Sequence, residues 1–289
     1  MRRTPRVAAI HDLSGFGRCS LTVVMPVLSA MGVQCCPLPT AYLSTHTGGF
    51  AGNTFLDMTD ALAGAMDHWR QLDLTFEAVY TGFMGSTRQM ALSAAFIRDM
   101  QEKGSVAVVD PVMGDHGKLY RTYTPEMCQA MALLADAADV IVPNYTEAAQ
   151  LLGLPYADVT AAPPEDTVRR LSKDGGRSVV LTGVSLRPGR IGAACFDRRD
   201  GSVSVVQTDF VGRAFHGTGD LFASVLTGAI VQGASLKEAA RRAAEFVRLC
   251  AAHTAPQDLP PREGIDFEPM LGALATWKGA DLEGIFQQE

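Results

Sequence analysis

The sequence has no long apolar run. No stretch approaches the roughly 18 consecutive apolar residues that a membrane-spanning helix requires, so none is expected. The opening MRRTPRVAAIHDLSG carries positive charge but no apolar segment longer than VAAI, which predicts no signal peptide. Charged residues make up only 19 % of the chain, the net charge is −6, and no block of Lys and Arg stands out. Nucleic acid and anionic membranes are therefore poor partners. The six cysteines (Cys19, Cys35, Cys36, Cys128, Cys195, Cys250) are scattered, with no C-x-x-C pair and no His/Cys set at zinc spacing. A reducing, cytoplasmic setting is the plain expectation. Adjacent Cys35 and Cys36 suit a strand better than a bridge to one another. No G-x-x-x-x-G-K-[ST] is present, so a P-loop is excluded, and no H-R-D or D-F-G set marks a protein kinase. No internal repeat appears at 20–50 residues.

What is present is alternation. Short β-rich runs fall at 6–10, 33–38, 78–82, 106–112, 139–144, 178–183, 191–196 and 202–208. Between most of them lie helical patterns. In 86–104, Met90, Ala94, Ile97 and Met100 recur near helical spacing and Gly104 ends the run. Thr124 is an expected N-cap with Pro125 at the first helical position, and 144–153 runs from Asn144 to a terminal Gly153. Such alternation predicts a mostly parallel sheet covered by helices on both faces. Residues 191–208, two runs joined by DRRDG, predict an antiparallel edge hairpin. The segments 161–167 and 255–264 are turn-rich and are expected to be loops. The pattern continues across the first, so 1–289 is expected to form one domain.

The polar and Gly-rich segments follow the strands. They are HDLSGFGR (11–18), TAYLSTHTGG (40–49), TGFMGS (81–86), DPVMGD (110–115), PNYTEA (143–148) and TG (182–183). In open α/β sheets, ligands bind outside the carboxyl ends of the strands. The segment FHGTGDLFASVL (215–226) then places two glycines, a threonine and a carboxylate where a buried helix begins. Leu221, Phe222, Val225, Leu226 and Ile230 give that helix its apolar stripe. Gly217 and Gly219 admit an anion to the helix N-terminus, and Thr218 adds a hydroxyl donor. A bare carboxylate repels phosphate, so Asp220 is best used to accept the proton of an attacking hydroxyl. The same turn is also an ordinary capped helix start, and its company decides between the two. Asp110 and Asp115 flank one turn, while Asn144 and Glu147 open the next helix as N-cap and capping-box partner. Such oxygen ligands suit the Mg2+ that accompanies ATP.

HTGG, DPVMGD, PNYTEA, VVLTG and GTGDLFASVL, in this order and at these intervals, resemble the vitamin B6 kinases (pyridoxal/pyridoxine/pyridoxamine kinases) of the ribokinase-like superfamily. The likeness runs from about residue 6 to about 255. GTGD alone speaks for the superfamily, whereas STHTGG with DPVMGD points to the B6 kinases. The resemblance implies a three-layer α/β/α sandwich, a homodimer, and phosphorylation of the 5′-hydroxymethyl group of a B6 vitamer by ATP. It implies Asp220 as the base and Gly217, Thr218 and Gly219 as the anion hole. Asp115 and Glu147 would lie near Mg2+, and Asp110 and Thr182 near a monovalent cation, K+. Asn144, Thr182 and Gly183 would line the phosphate track, with Glu147 beside them. His46 and Thr47 would approach the pyridine ring, and the adenine wall would come from the region after 208 and from 255–264.

Two positions depart from better-known members. Where those carry Ser after the first strand, the register is open between Asp12 and Ser14, two residues on, and an acidic Asp12 would lean toward pyridoxamine. Phe83 replaces a Tyr, able to stack on the ring but not to donate a hydrogen bond. His11, His68 and His253 have no partner at a useful spacing and read as structural. His216 stands just before the cradle, where a phosphate contact is the weaker reading and a structural role the stronger. Met25, Met90 and Met131 read as core filler, and Arg241 and Arg242 as a solvated helix face. Competing readings are a hydroxymethylpyrimidine kinase on the same fold, a non-catalytic binding protein using the same pocket, and a sugar kinase. The last needs an early β-sheet lid for which 11–78 leaves little room.

Overall fold

Strand residues alternate between two apolar faces, and this alternation builds the molecule. In the computed structural model, which describes residues 3–276, Val7 and Ala9 of the first strand enter one core while Ala8 and Ile10 enter another. Val108 opposes Ala107 and Val109, and Val180 opposes Val179 and Leu181, in the same way. Strands buried on both sides in this manner need helices on both faces.

Among the described residues the strands are β1 (Arg6–Ser14), β2 (Gln34–Leu43), β3 (Phe55–Asp57), β4 (Ala78–Thr81), β5 (Val106–Val109), β6 (Gly114–Asp115), β7 (Lys118–Leu119), β8 (Val140–Ile141), β9 (Ser178–Val184), β10 (Arg190–Asp197) and β11 (Ser202–Asp209). Nine form one sheet in the order β11-β10-β9-β8-β5-β4-β1-β2-β3, and β6 pairs with β7 as a separate hairpin. The six strands from β9 to β2 are parallel, and β10–β11 supplies the expected antiparallel edge. The opposite edge is antiparallel too, through β3 on β2. The runs did not reveal β3, which is three exposed residues long and held by its partner rather than by burial.

The helices are α1 (Leu21–Ala30), α2 (Thr59–Gln71), α3 (Thr87–Glu102), α4 (Pro125–Asp136), α5 (Tyr145–Leu152), α6 (Tyr156–Ala161), α7 (Pro164–Leu171), α8 (Thr218–Val231), α9 (Leu236–Thr254) and α10 (Leu271–Ala275). One face of the sheet carries α1, α8, α9 and α10, with Leu21, Leu226, Phe246 and Leu274 in its core. The other carries α2 to α7, with Leu62, Phe96, Met131, Ala148 and Val168. This is the three-layer α/β/α, ribokinase-like arrangement.

Some expectations need correction. Residues 161–167 are not simply a loop, because Pro164 sits in the first turn of α7 with Glu165 and Asp166, which favour a helix start. Met25 is 39 % exposed and fills no core, unlike Met90 and Met131. Cys35 and Cys36 lie in β2 but are only half-buried, since β2 is one strand from the edge. All six cysteines are free.

Along the chain β1 is followed by β2 on one side, and β4 then returns to its other side. The crevice where strand order reverses therefore opens at the carboxyl ends of β1 and β4. His11, Asp12, Thr81 and Gly82 lie there.

Candidate active site

A cavity of about 680 Å³ opens at this rim, within the range of small-molecule sites. Each of the site residues expected from the sequence borders it. They divide by element into a cradle, a carboxylate group, a ring-sized end and an apolar end.

The cradle is the start of α8. Gly217 is its N-cap, with φ 81°, a left-handed conformation that favours glycine. A Cβ there would stand 2.0 Å from the Arg18 carbonyl oxygen, so the position has no room for a side chain either. The first N–H groups of α8 have no intrahelical acceptor and carry the positive end of the helix dipole. Gly219 is exposed, and a Cβ on it would meet nothing within 4 Å, which leaves open space above those N–H groups. One detail departs from expectation. The Thr218 hydroxyl donates to the Phe215 carbonyl at 3.1 Å and braces its own turn, so its backbone rather than its side chain faces an anion.

Asp220, in the first turn of α8, is held at both oxygens. Its Oδ1 lies 3.0 Å from His11 Nε2, and its Oδ2 accepts the Ser20 N–H at 2.8 Å. Ser20 adopts φ 56° and ψ −139°, rare for a residue with a side chain, and this conformation aims its N–H at the carboxylate. His11 is the residue that sequence reasoning missed. Its Nδ1 lies 2.9 Å from Asp12 Oδ1, with the amides of Asp12 and Phe83 also near, at 3.0 and 3.3 Å. Burial opposes the charged ring. The hydrogen bonds and charges of Asp12 and Asp220 outweigh that and push its pKa up to about 10.

Asp12 also accepts the Ser14 hydroxyl at 2.8 Å and is 5 % exposed. It is committed to His11 and Ser14, so the preference for pyridoxamine read from Asp12 loses its basis. Burial works against its ionised form, but His11 holds its carboxyl below the usual range.

Asp110 lies at the end of β5. Burial and then the charge of Asp220 push its pKa up to about 8, against a lowering by His11. Glu147 is 3 % exposed and serves as a capping box. Its Oε2 accepts the Asn144 N–H at 2.8 Å and its Oε1 the Met113 N–H at 3.2 Å, while the Asn144 side chain caps α5 and donates to the Gly114 carbonyl. Burial, with Asp110 nearby, drives the Glu147 pKa well up. Asp115 is more open, 54 % exposed at the side chain and 3.5 Å from His116 Nε2.

At the ring-sized end, His46 donates from Nε2 to the Arg262 carbonyl at 2.7 Å and accepts the Gly48 N–H at Nδ1. Both ring nitrogens are thus engaged within the protein, and what His46 offers is its ring, 5.0 Å from Phe50 and 5.2 Å from His216. Thr47, exposed, and Phe83, half-buried, also line the cavity. His216 is kept neutral-leaning by burial and by His46.

Apolar lining comes from Phe210, Val211 and Phe215 after β11, with Val247 and Ala251 of α9, and Thr182 and Gly183 of β9 also border the cavity. The 255–264 loop does not border the cavity; its Arg262 carbonyl buttresses His46 instead. Arg121, Arg213 and Arg248 add positive charge to the rim. Composition gave no sign of them because each lies outside the motifs.

The chain as a whole is similar to known proteins. The chain matches the phosphomethylpyrimidine kinase family over residues 25–259. It is 28 % identical over 264 residues to a pyridoxine/pyridoxal/pyridoxamine kinase of Bordetella bronchiseptica, covering 82 % of this chain and 85 % of that one. A Bacteroides thetaiotaomicron protein, provisionally described as a phosphomethylpyrimidine kinase and crystallised with pyridoxal, superposes with a TM-score of 0.87 at 40 % identity, covering 94 % and 96 % of the two chains. The crystal structure of pyridoxal kinase from Lactobacillus plantarum gives 0.84 at 32 % identity, covering 94 % and 97 %. The chain therefore belongs to the phosphomethylpyrimidine kinase family, as a kinase of ribokinase-like fold that resembles the vitamin B6 kinases.

Proposed function

We propose that this protein transfers the terminal phosphoryl group of ATP to the 5′-hydroxymethyl group of a B6 vitamer: pyridoxal, pyridoxine or pyridoxamine. The observation that carries this reading is Asp220, pinned by His11 and Ser20 beside an open helix N-terminus, in a cavity with a ring-sized end and an apolar end. The relatives named for B6 kinases and the likeness to a protein crystallised with pyridoxal support it. Residues 1–289 would act as one kinase domain, working as a homodimer in the cytoplasm.

The pyridine ring packs against His46 and Phe83, which brings its hydroxymethyl group toward Asp220. Asp220 accepts the hydroxyl proton as the new O–P bond forms and the bond from the terminal phosphorus to its bridging oxygen breaks. The N–H groups of Thr218, Gly219 and Asp220 stabilise the charge on the migrating group, as oxyanion holes do. The adenine lies against Phe210, Val211 and Val247.

Among the described residues no three potential metal-ligating side chains form a ready-made cluster. That suits Mg2+, which keeps several waters and binds through one or two carboxylates plus substrate phosphates. Asp115, being open, and Asp110, whose ionised form a cation would favour, would hold it. Glu147 would act through Asn144 and the Met113 amide. Bound there, Mg2+ would neutralise phosphate charge. Thr182 and Asp110 would serve a monovalent cation such as K+.

The family match itself favours a second reading, phosphorylation of hydroxymethylpyrimidine, and a Haemophilus influenzae hydroxymethylpyrimidine/phosphomethylpyrimidine kinase is 27 % identical over 188 residues. A coupled ADP-release assay with the three vitamers and hydroxymethylpyrimidine side by side, with and without Mg2+ and K+, separates the two. Turnover on a vitamer well above that on the pyrimidine is expected. Turnover on the pyrimidine alone establishes the second reading. Binding of a vitamer with no ADP release makes the protein a non-catalytic binder.

A further inference from the structure

Asp220 does not stand alone, and the group that holds it comes from the far end of the chain. His11 closes the apolar part of β1 at the topological switch point and is 2 % exposed. Both ring nitrogens face carboxylate oxygens: Nδ1 meets Asp12 at 2.9 Å and Nε2 meets Asp220 at 3.0 Å. A carboxylate can only accept, so Asp220 calls for an N–H on Nε2, while Nδ1 faces both Asp12 Oδ1 and the backbone N–H groups of Asp12 and Phe83, at 3.0 and 3.3 Å.

The surroundings leave the ring no other place. Its face is closed by Gly82, on which a Cβ would stand 2.0 Å from His11 Cδ2, and the Tyr80 ring of β4 packs edge-on at 6.3 Å. Asp12 is fixed in turn by the Ser14 hydroxyl. Of the other titratable groups nearby, Asp110 at the end of β5 interacts with the charge of the ring, and Cys19 before α1 with the charges of Asp220 and Asp12.

We propose that His11 is a positioning residue of the phosphotransfer site: clamped between Asp12 and Asp220, it donates Nε2–H to Asp220 and fixes the direction from which that carboxylate meets the substrate hydroxyl. This rests on Asp220 being the group that receives the hydroxyl. With Ser20 N–H on the second oxygen, the carboxylate of Asp220 is held from two directions where it borders the cavity. Displacing a reacting group by about 1 Å can cost about 10²-fold in rate. That is the size of effect expected from losing the clamp.

The test compares His11→Leu, His11→Gln and Gly82→Ala with the wild type, each checked for folding by its melting transition. His11→Leu should lose about 10²-fold in kcat with KM for vitamer and ATP changed by less than about threefold. His11→Gln, which can still present an N–H near the position of Nε2, should recover most of that loss. Gly82→Ala keeps the imidazole but displaces it and should mimic His11→Leu. The pair should be non-additive: His11→Leu in an Asp220→Asn background should cost nothing further. Wild-type kcat in His11→Leu, or full additivity with Asp220→Asn, overturns the proposal. A readout independent of turnover is the 15N signal of the His11 ring. Its Nε2 resonance should move in Asp220→Asn and stay insensitive to pH near neutrality in the wild type. If the wild type phosphorylates no vitamer and no pyrimidine, the functional reading fails, and an Nε2 signal unmoved by Asp220→Asn then overturns the clamp as well.

Discussion

Asp110 shows what a single buried carboxylate does to such a site. Its pKa, pushed up to about 8 by burial and by Asp220, lies above the roughly 3.9 of an unfolded Asp. The folded state therefore binds the proton more tightly than the unfolded state. Its contribution is most favourable below about pH 4 and is lost as pH rises through about 8. Asp110→Asn removes that loss. Its melting temperature should equal the wild type's near pH 4 and exceed it by several degrees above pH 8, while turnover falls. Thermal melts across this range, with a kcat measurement, check both halves; a variant less stable than wild type at pH 8 contradicts the account. His11 runs in the same direction on the alkaline side. Its raised pKa contributes stability that is complete below about 6.5 and lost through about 10.

At this scale the sequence was legible where partners are close along the chain. Asn144 and Glu147 are three residues apart, and their capping box could be read directly. His11 and Asp220 are 209 residues apart, and no local spacing reports such a pair. A histidine followed by an aspartate at the carboxyl end of the first strand was the one available signal.

Elements position these residues through their ends. The left-handed Gly217 lets α8 begin beside the Arg18 carbonyl. Gly217→Ala must move that start or accept a backbone clash, at a cost of at least about 1 kcal/mol. Its kcat should fall by more than tenfold, well beyond what its lower melting temperature explains, because the cradle moves with the turn. An Ala variant with wild-type kcat would remove the helix N-terminus from the mechanism. Asn144→Ala loses the cap of α5 and the tie to Gly114, at a cost of about 1 kcal/mol or more. Denaturant melts should show this loss, together with a raised KM for ATP and a smaller change in the KM for vitamer.

The capped ends of α4 and α5 were readable from Thr124, Pro125, Asn144 and Gly153. The hairpin β6–β7 and the edge strand β3 were not, being two and three residues long and fixed by tertiary contacts. The buried Gln89 was also silent in the sequence. It accepts from Gly85 N–H and donates to the Thr40 carbonyl and the Thr59 hydroxyl, and so fixes the loop that carries Phe83.

Across the whole molecule, the alternation of apolar residues on each strand decides the layering, and the layering decides where the site opens. Polar segments at the ends of β1, β2, β4, β5, β8 and β9 converge because parallel strands share one carboxyl edge. That much could be read from the order of runs. The closure of the site from behind could not. Arg18 on the first loop is paired with Asp266 and Glu268 near the end of the described chain, and the Arg18 N–H bonds the Glu263 carbonyl. These contacts tie the first loop to the segment after α9.

The most direct test of the account is the product formed by the wild type and by Asp220→Asn from ATP, Mg2+ and pyridoxal, with ADP and phosphorylated vitamer both quantified. The wild type should yield them in equal amounts, and Asp220→Asn, folded as judged by its melt, should be about 10²–10⁴-fold slower in kcat. Turnover by Asp220→Asn near the wild-type rate would contradict the account.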